Sequence, residues 1–210
     1  MSTVIIGCGG LGRELLVLLK QSGIFDIKGW YDDKVTKDTI IDDLPVLGSI
    51  EDLNSSEEKV NVYIGIGDPK IKEIIVNKLD NDLIHFPNLI HPSVNIQDFQ
   101  KINLGKGVII QNGSILTTNI TLEDHVFINL DCTIGHDSTL GKYTSLMPSV
   151  NISGDVNVSN NVYFGTAATV INNVNIAEHS IIGASACVTR DIEAYTLNVG
   201  IPSKSIKKLN

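Results

Sequence analysis

The sequence predicts two folds in one chain: an α/β domain of the nucleotide-binding kind, then a parallel β-helix. Two observations carry this. From Leu104 to Glu193 the chain reads as fifteen hexads, LGKGVI through VTRDIE, and the first residue of every one is apolar. With 42% apolar residues overall, such a run arises by chance about once in a hundred thousand sequences. The fifth residues are small or β-branched throughout, among them Val108, Ser114, Val126, Cys132, Thr144, Val150, Ala168 and Ala186. Ahead of the hexads, residues 3–33 run as strand, Gly-rich loop, helix and strand, a βαβ nucleotide-binding pattern.

The elements follow in order, with domain boundaries expected at 1–83, 84–193 and 194–210. Thr3–Ile6 is a buried strand, followed by Gly7-Cys8-Gly9-Gly10-Leu11-Gly12. Arg13–Gln21, carrying Leu15, Leu16, Leu18 and Leu19, is a helix that stops near Gly23. Ile27–Tyr31 is a second strand ending in Asp32-Asp33, Val60–Ile66 is a third, and Pro69 opens a helix over Lys70–Leu79. Lys34–Leu53 reads as a loop-rich insertion without assigned structure. His85-Phe86-Pro87-Asn88 and His91-Pro92 mark turns. Repeat-like hexads at Ile90 and Ile96 run two residues out of register with the main series, so the β-helix begins near Ile90. Beyond Ile192, Tyr195–Pro202 reads as extended, and Ser203–Leu209 as a short cationic helix capping the stack.

Charge and composition exclude several functions. The chain has a net charge of −8 and a pI of about 5.0, and its only basic cluster is Lys204, Lys207 and Lys208. Nothing would neutralise a phosphate backbone, so neither nucleic acid nor an anionic membrane is expected as a partner. Glycines follow Thr3–Ile6 at once, so no signal peptide is read, and no apolar run approaches bilayer length. Cys8, Cys132 and Cys187 are far apart, which suits reduced thiols and a cytoplasmic location. Cys132 occupies an inward repeat position and is expected in the core.

Two motifs carry chemistry. Gly7-x-Gly9-x-x-Gly12 stands between a strand and a helix, with an acidic residue, Asp32, twenty positions past Gly12. The glycines let backbone approach a phosphate, the helix N-terminus favours its charge, and Asp32 or Asp33 can accept from ribose hydroxyls. Tight strand–helix packing is the other use of such a loop. Taken alone the motif suggests NAD and an oxidoreductase, but it fills only half of a dinucleotide fold and no dehydrogenase domain follows.

The second motif is His136-Asp137. In each hexad, positions one and five point inward, while three and four fall at the turn. If three hexads make a coil, corners recur every eighteen residues. His136 then stacks between Thr118 and Gly154, in a column continued by Asn172 and Arg190. Beside it run Asn119, Asp137, Asp155, Asn173 and Asp191. This edge suits acyl transfer. His136 accepts the proton of an attacking amine or hydroxyl, Asp137 orients the imidazole, and the Gly154 N–H binds the oxyanion. There is no Ser-His or Cys-His arrangement, and none is required. A histidine on a turn is more often a solvated surface residue, the reading kept for His85, His91, His125 and His179. No histidine pair has zinc spacing, so no metal is expected.

The ordered set of motifs resembles a known family along essentially the whole chain. It comprises Ile6 to Glu14, Tyr31-Asp32-Asp33, Ile64-Gly65-Ile66-Gly67-Asp68, His91-Pro92-Ser93, Asn129 with His136-Asp137, Gly154, and Gly200 to Lys204. The family is the bacterial sugar acyltransferases with a Rossmann-like N-terminal domain and a left-handed β-helix. It includes nucleotide-4-amino-sugar N-acetyltransferases and sialic acid O-acetyltransferases of surface-glycan pathways such as lipopolysaccharide, O-antigen and capsule. The resemblance implies a homotrimer with active sites between subunits, and acetyl-CoA lying between neighbouring β-helices. It implies His136 as general base, Asp137 as its support, Asn129 as an active-site contact and Gly154 as the donor to the acetyl carbonyl. Gly165, Gly183 and Ala184 resemble positions beside the pantetheine arm, with Lys204 also on the acetyl-CoA side. Gly9, Gly10, Gly12, Asp32, Asp33, Gly67 and Asp68 resemble the nucleotide-sugar pocket. Two positions depart: Leu11 and Ser145 stand where relatives carry histidines, and both lie on the substrate side.

The expected function is acetyl-CoA-dependent N-acetylation of a nucleotide-linked 4-amino-6-deoxy sugar. The competing readings are O-acetylation of sialic acid or a related acidic sugar, and a non-catalytic β-helix that binds nucleotide sugars.

Overall fold

The structure, a computed structural model, describes residues 1–209 and divides into two compact units that part between Leu89 and Ile90. In the first unit, β1 (Ser2–Ile6), β2 (Ile27–Tyr31), β3 (Ile40–Ile41), β4 (Leu44–Gly48), β5 (Val60–Ile64) and β6 (Ile84–His85) form one sheet. Its order is β3-β4-β2-β1-β5-β6, and every pair is parallel except the β3–β4 hairpin. Parallel strands need crossovers; α1 (Gly10–Gln21), α2 (Ile50–Asn54) and α3 (Pro69–Lys78) lie along the connections. α1 buries Leu15, Leu16, Leu18 and Leu19, as its apolar spacing predicts.

Two expectations change here. Lys34–Leu53 is not shapeless: it holds the β3–β4 hairpin and the start of α2, which a Ser49–Asp52 capping box opens. A two-residue strand is too short to display a period. The first unit also runs six residues beyond 83, because Ile84–His85 pairs with β5, and the second begins at Ile90, where the repeat-like hexads start.

In the second unit, two-residue strands at the joints between hexads stack into parallel sheets, each strand pairing with the one eighteen residues on. Thr133 and Ile134, for example, pair with Asn151 and Ile152. First-position residues from Ile110 to Val188 and fifth-position residues from Val108 to Ile192 are all buried; Leu104 is half-buried. They form one continuous core. Each coil can bury its apolar positions only against its neighbours, which is why the pattern tolerates no gap. The fourth residue of each hexad from Gly107 to Ser185 has a positive φ, between 53° at Asn119 and 77° at Gly113. That left-handed step turns the corner and accounts for the many Asn and Asp residues there.

The first coil is longer than the rest. The same rung bond runs from His91 N–H to the Ile110 carbonyl and from Gln111 N–H to the Ile128 carbonyl. The step is thus twenty residues from His91 to Gln111 but eighteen from Gln111 to Asn129, matching the shifted register at Ile90.

At the other end, Thr196–Val199 extends the sheet beside Ile181–Ile182, and Lys204–Lys208 folds back antiparallel to it. The helix expected over Ser203–Leu209 is therefore a strand, and Asn210 lies outside the described residues. Ladder bonds offered by the open edge of Thr196–Val199 outweigh the local helical preference of the lysines. His125 is also not the solvated residue expected: it is buried and stacks on Tyr143, ring centroids 5.6 Å apart. No helix among the described residues is long and apolar enough to cross a membrane.

Candidate active site

His136 follows the strand Thr133–Ile134 and Gly154 follows Asn151–Ile152. Those strands are paired, so the two residues occupy one corner on successive coils, about 4.8 Å apart. His136 Nδ1 lies 2.7 Å from Asp137 Oδ2, while Asn119 Nδ2 donates to Asp137 Oδ1 at 2.6 Å. Asn119 first, and His136 second, hold the Asp137 carboxyl below the usual carboxylate range, against a small opposing effect of burial. An ionised carboxylate only accepts, so Nδ1 carries the ring proton and Nε2 keeps a free lone pair.

The imidazole lies across Gly154. A Cβ at Gly154 would stand 2.5 Å from Nε2, 2.6 Å from Cε1 and 2.9 Å from Cδ2 of His136. The φ of Gly154 is outside the left-handed region, so the ring, and not the backbone, requires glycine here. Asp155 N–H donates to the His136 carbonyl at 2.7 Å and Asn173 N–H to the Gly154 carbonyl at 3.3 Å. The Gly154 N–H has no acceptor among the described residues. A base with a free lone pair, its orienting carboxylate and an unused amide donor thus share one edge, whose side chains are 62% and 51% exposed at His136 and Asp137.

The remaining residues expected in this site stand elsewhere. Asn129, Gly165 and Gly183 follow Phe127–Ile128, Tyr163–Phe164 and Ile181–Ile182, three strands of one sheet. They therefore share a different corner from His136. Asn129 is buried, and its Oδ1 accepts from the Leu130 N–H at 2.8 Å. A Cβ at Gly165 would meet Ala184 N at 2.5 Å, and one at Gly183 would meet Val199 Cγ1 at 2.8 Å, so coil packing alone calls for both glycines. The exposed Lys204 pairs with Val199. Ser145 is fully buried on the strand between Phe127 and Tyr163.

In the first unit the glycines divide by role. A Cβ at Gly12 would collide with the Gly7 carbonyl, and one at Gly65 would stand 2.5 Å from the Gly12 Cα. Gly12 therefore serves strand–helix packing. At Gly9 and Gly10 a Cβ would meet nothing within 4 Å. The start of α1, which has no side-chain cap, faces that open space with its free amides. The acidic residues hold the surrounding loops. Asp32 Oδ2 accepts from Cys8 N–H at 3.1 Å and from Cys8 Sγ at 3.2 Å, and Oδ1 accepts from Lys34 N–H at 2.9 Å. Burial works against the Asp32 charge, but these donors outweigh it and keep its carboxyl below the usual range. Burial, with Asp32 second, pushes the Cys8 thiol up to about 11, which leaves it unreactive at neutral pH. Asp33 Oδ1 accepts from Ile50 N–H, and Asp68 caps α3 through the Ile71 N–H. The ends of β1, β2 and β5 bring Gly9, Gly10, Asp32 and Gly67 to the carboxyl edge of the sheet, where open α/β sheets bind ligands. Among the described residues, no group of three or more His, Cys, Asp or Glu is placed to hold a metal.

Comparison with known proteins bears on the fold of both units. Residues 3–79 match the PglD N-terminal domain family. The fold is similar along 99% of the chain to a variant of perosamine N-acetyltransferase from Caulobacter crescentus, covering 98% of that chain at 26% identity and a TM-score of 0.90. That structure is described in complex with CoA and GDP-perosamine. The acetyltransferase domain of PglB from Neisseria gonorrhoeae has the same fold, at a TM-score of 0.89, 22% identity and coverage of 98% and 99%. A Schizosaccharomyces pombe protein that bears the name of an acetyltransferase is 48% identical over 50 residues. That match spans 24% of this chain and 24% of the relative.

Proposed function

We propose, from the chain's membership of the bacterial sugar acetyltransferases built on a hexapeptide-repeat β-helix, that it moves the acetyl group of acetyl-CoA onto the amine of a nucleotide-linked sugar. The sugar is a 4-amino-6-deoxy sugar destined for a surface glycan. The observation that carries this reading is the His136 imidazole, bonded through Nδ1 to Asp137 and laid over Gly154. Nε2 takes the proton of the amine as its nitrogen bonds to the thioester carbonyl carbon. The Gly154 N–H meets the charge that grows on the carbonyl oxygen. The carbon–sulfur bond then breaks, and the leaving thiolate takes the proton back from the imidazolium. No protein nucleophile is used; Cys132 sits in the core, where burial pushes its thiol up to about 11.

Acetyl-CoA lies along the second edge in this reading, with Asn129 towards the acetyl end, Gly165, Gly183 and Ala184 beside the pantetheine arm, and Lys204 towards the phosphates. The nucleotide takes the open space at Gly9 and Gly10, with Gly12, Asp32, Asp33, Gly67 and Asp68 shaping its walls. His136 and the acetyl-CoA edge are different corners of one coil, so a site that uses both draws on two copies of the chain. A homotrimer with sites between neighbours supplies them. Soluble substrates and reduced thiols suit the cytoplasm.

The test is incubation with acetyl-CoA and a panel of UDP-, dTDP- and GDP-linked amino sugars, read by mass spectrometry. An N-acetylated nucleotide sugar is expected. Product from free sialic acid alone would replace this reading with O-acetylation. No product from either, with nucleotide-sugar binding intact, would leave a non-catalytic binding protein.

A further inference from the structure

Resting on that reading of the His136 corner, we propose that Asn119 is a positioning residue for the reaction, acting through Asp137. Asn119 belongs to the preceding coil, and its φ of 53° is left-handed. That conformation alone favours asparagine, so the residue type by itself carries no argument. Its side chain does. Asn119 Nδ2 donates to Asp137 Oδ1 at 2.6 Å, whereas neither Asp155 nor Asn173, further along the same column, makes a side-chain hydrogen bond among the described residues. The bond is thus a local feature of this rung and not a property of the column.

Its anchor is firm. Asn119 N–H donates to the Gln100 carbonyl at 2.7 Å, and Asp137 N–H donates to the Thr118 carbonyl at 3.1 Å, so the two backbones are held in register. The Asp137 carboxylate then has one oxygen fixed by Asn119 and the other engaged by His136 Nδ1. One bond on each oxygen sets the carboxylate plane. Without Asn119, a carboxylate 51% exposed turns towards water, and the imidazole loses the partner that fixes both its tautomer and its tilt over Gly154. An amide suits this role because it donates without adding charge beside the base. The titratable side chain bonded to Asp137 is His136, and no hydrogen bond or ion pair joins Asp137 to Asp155 among the described residues.

The experiment compares Asn119→Gly, which keeps the left-handed backbone, with Asn119→Asp, which keeps the size but sets a carboxylate against Asp137. Both are expected to lower kcat about tenfold with KM for acetyl-CoA and for the nucleotide sugar unchanged. In an Asp137→Ala background, Asn119→Gly is expected to change kcat no further, since its effect passes through the missing carboxylate. Parent-like kcat in Asn119→Gly, a rise in KM alone, or an equal loss of kcat in both backgrounds would each overturn the role. The functional reading fails separately: His136→Ala with parent kcat sinks that reading, whereas an inactive His136→Ala beside a fully active Asn119→Gly sinks only the role of Asn119.

Discussion

Gly154→Ala probes the site at its tightest point. The new methyl would stand 2.5 Å from His136 Nε2 and 2.6 Å from Cε1, where non-bonded atoms settle at about 3.5 Å. One of them must move by about 1 Å. The backbone at Gly154 is compatible with alanine, and the atoms in the way belong to a ring on a side chain 62% exposed. The ring therefore swings out while the coil stays. Swinging out breaks the 2.7 Å bond to Asp137 or carries Nε2 away from the Gly154 amide. A displacement of about 1 Å at a reacting group costs about a hundredfold in rate, or about 2.7 kcal/mol of barrier. Thiol release from acetyl-CoA gives kcat directly. The expected result is a fall of about a hundredfold, with the thermal midpoint within about 3 °C of the parent. Parent-like kcat in a folded Gly154→Ala protein would refute the claim that the ring acts from its place over Gly154.

Four further outcomes follow. Gly12→Ala sets a methyl against the Gly7 carbonyl and is expected to cost about 1–3 kcal/mol in denaturant unfolding. Gly9→Ala, which meets nothing within 4 Å, is expected to leave stability unchanged and weaken nucleotide-sugar binding in calorimetry. Lys72 is buried on α3, and burial pushes its ammonium down to about 7, with Asp68 partly opposing. The unfolded chain then binds the extra proton between about pH 7 and the ordinary lysine value of 10.5. Stability should rise with pH through that window by at most about 1.4 kcal/mol per pH unit and be flat below it; Lys72→Met should remove the slope in unfolding curves. Finally, co-folding inactive His136→Ala with inactive Asn129→Ala chains should restore about a quarter of the parent rate, since that share of mixed interfaces carries both intact halves. No recovery would place each site within one chain.

What the sequence made legible is what repeats. Every coil must refill the same inward positions, so the register from Leu104 to Val188 could be counted without a structure, and the same count put His136 beside Gly154. The tail obeyed no such constraint: Lys204–Lys208 became a strand because a partner edge was waiting, a tertiary cause that local propensity does not contain. The acidic tips of β2 lay between these cases. Spacing located Asp32 and Asp33 at the carboxyl end of β2, but not the Cys8, Lys34 and Ile50 donors that engage them, because those contacts depend on how loops close. Asn129 is the instructive residue. Resemblance grouped it with His136, yet the hexads beginning at Ile128 and Ile134 are consecutive, so their turns are neighbouring corners and not one column. The register already contained that separation. Taken with the proposed function, it predicts that two copies of the chain build each site, because residues on different corners of one coil cannot meet within it, and the co-folding experiment checks that outcome.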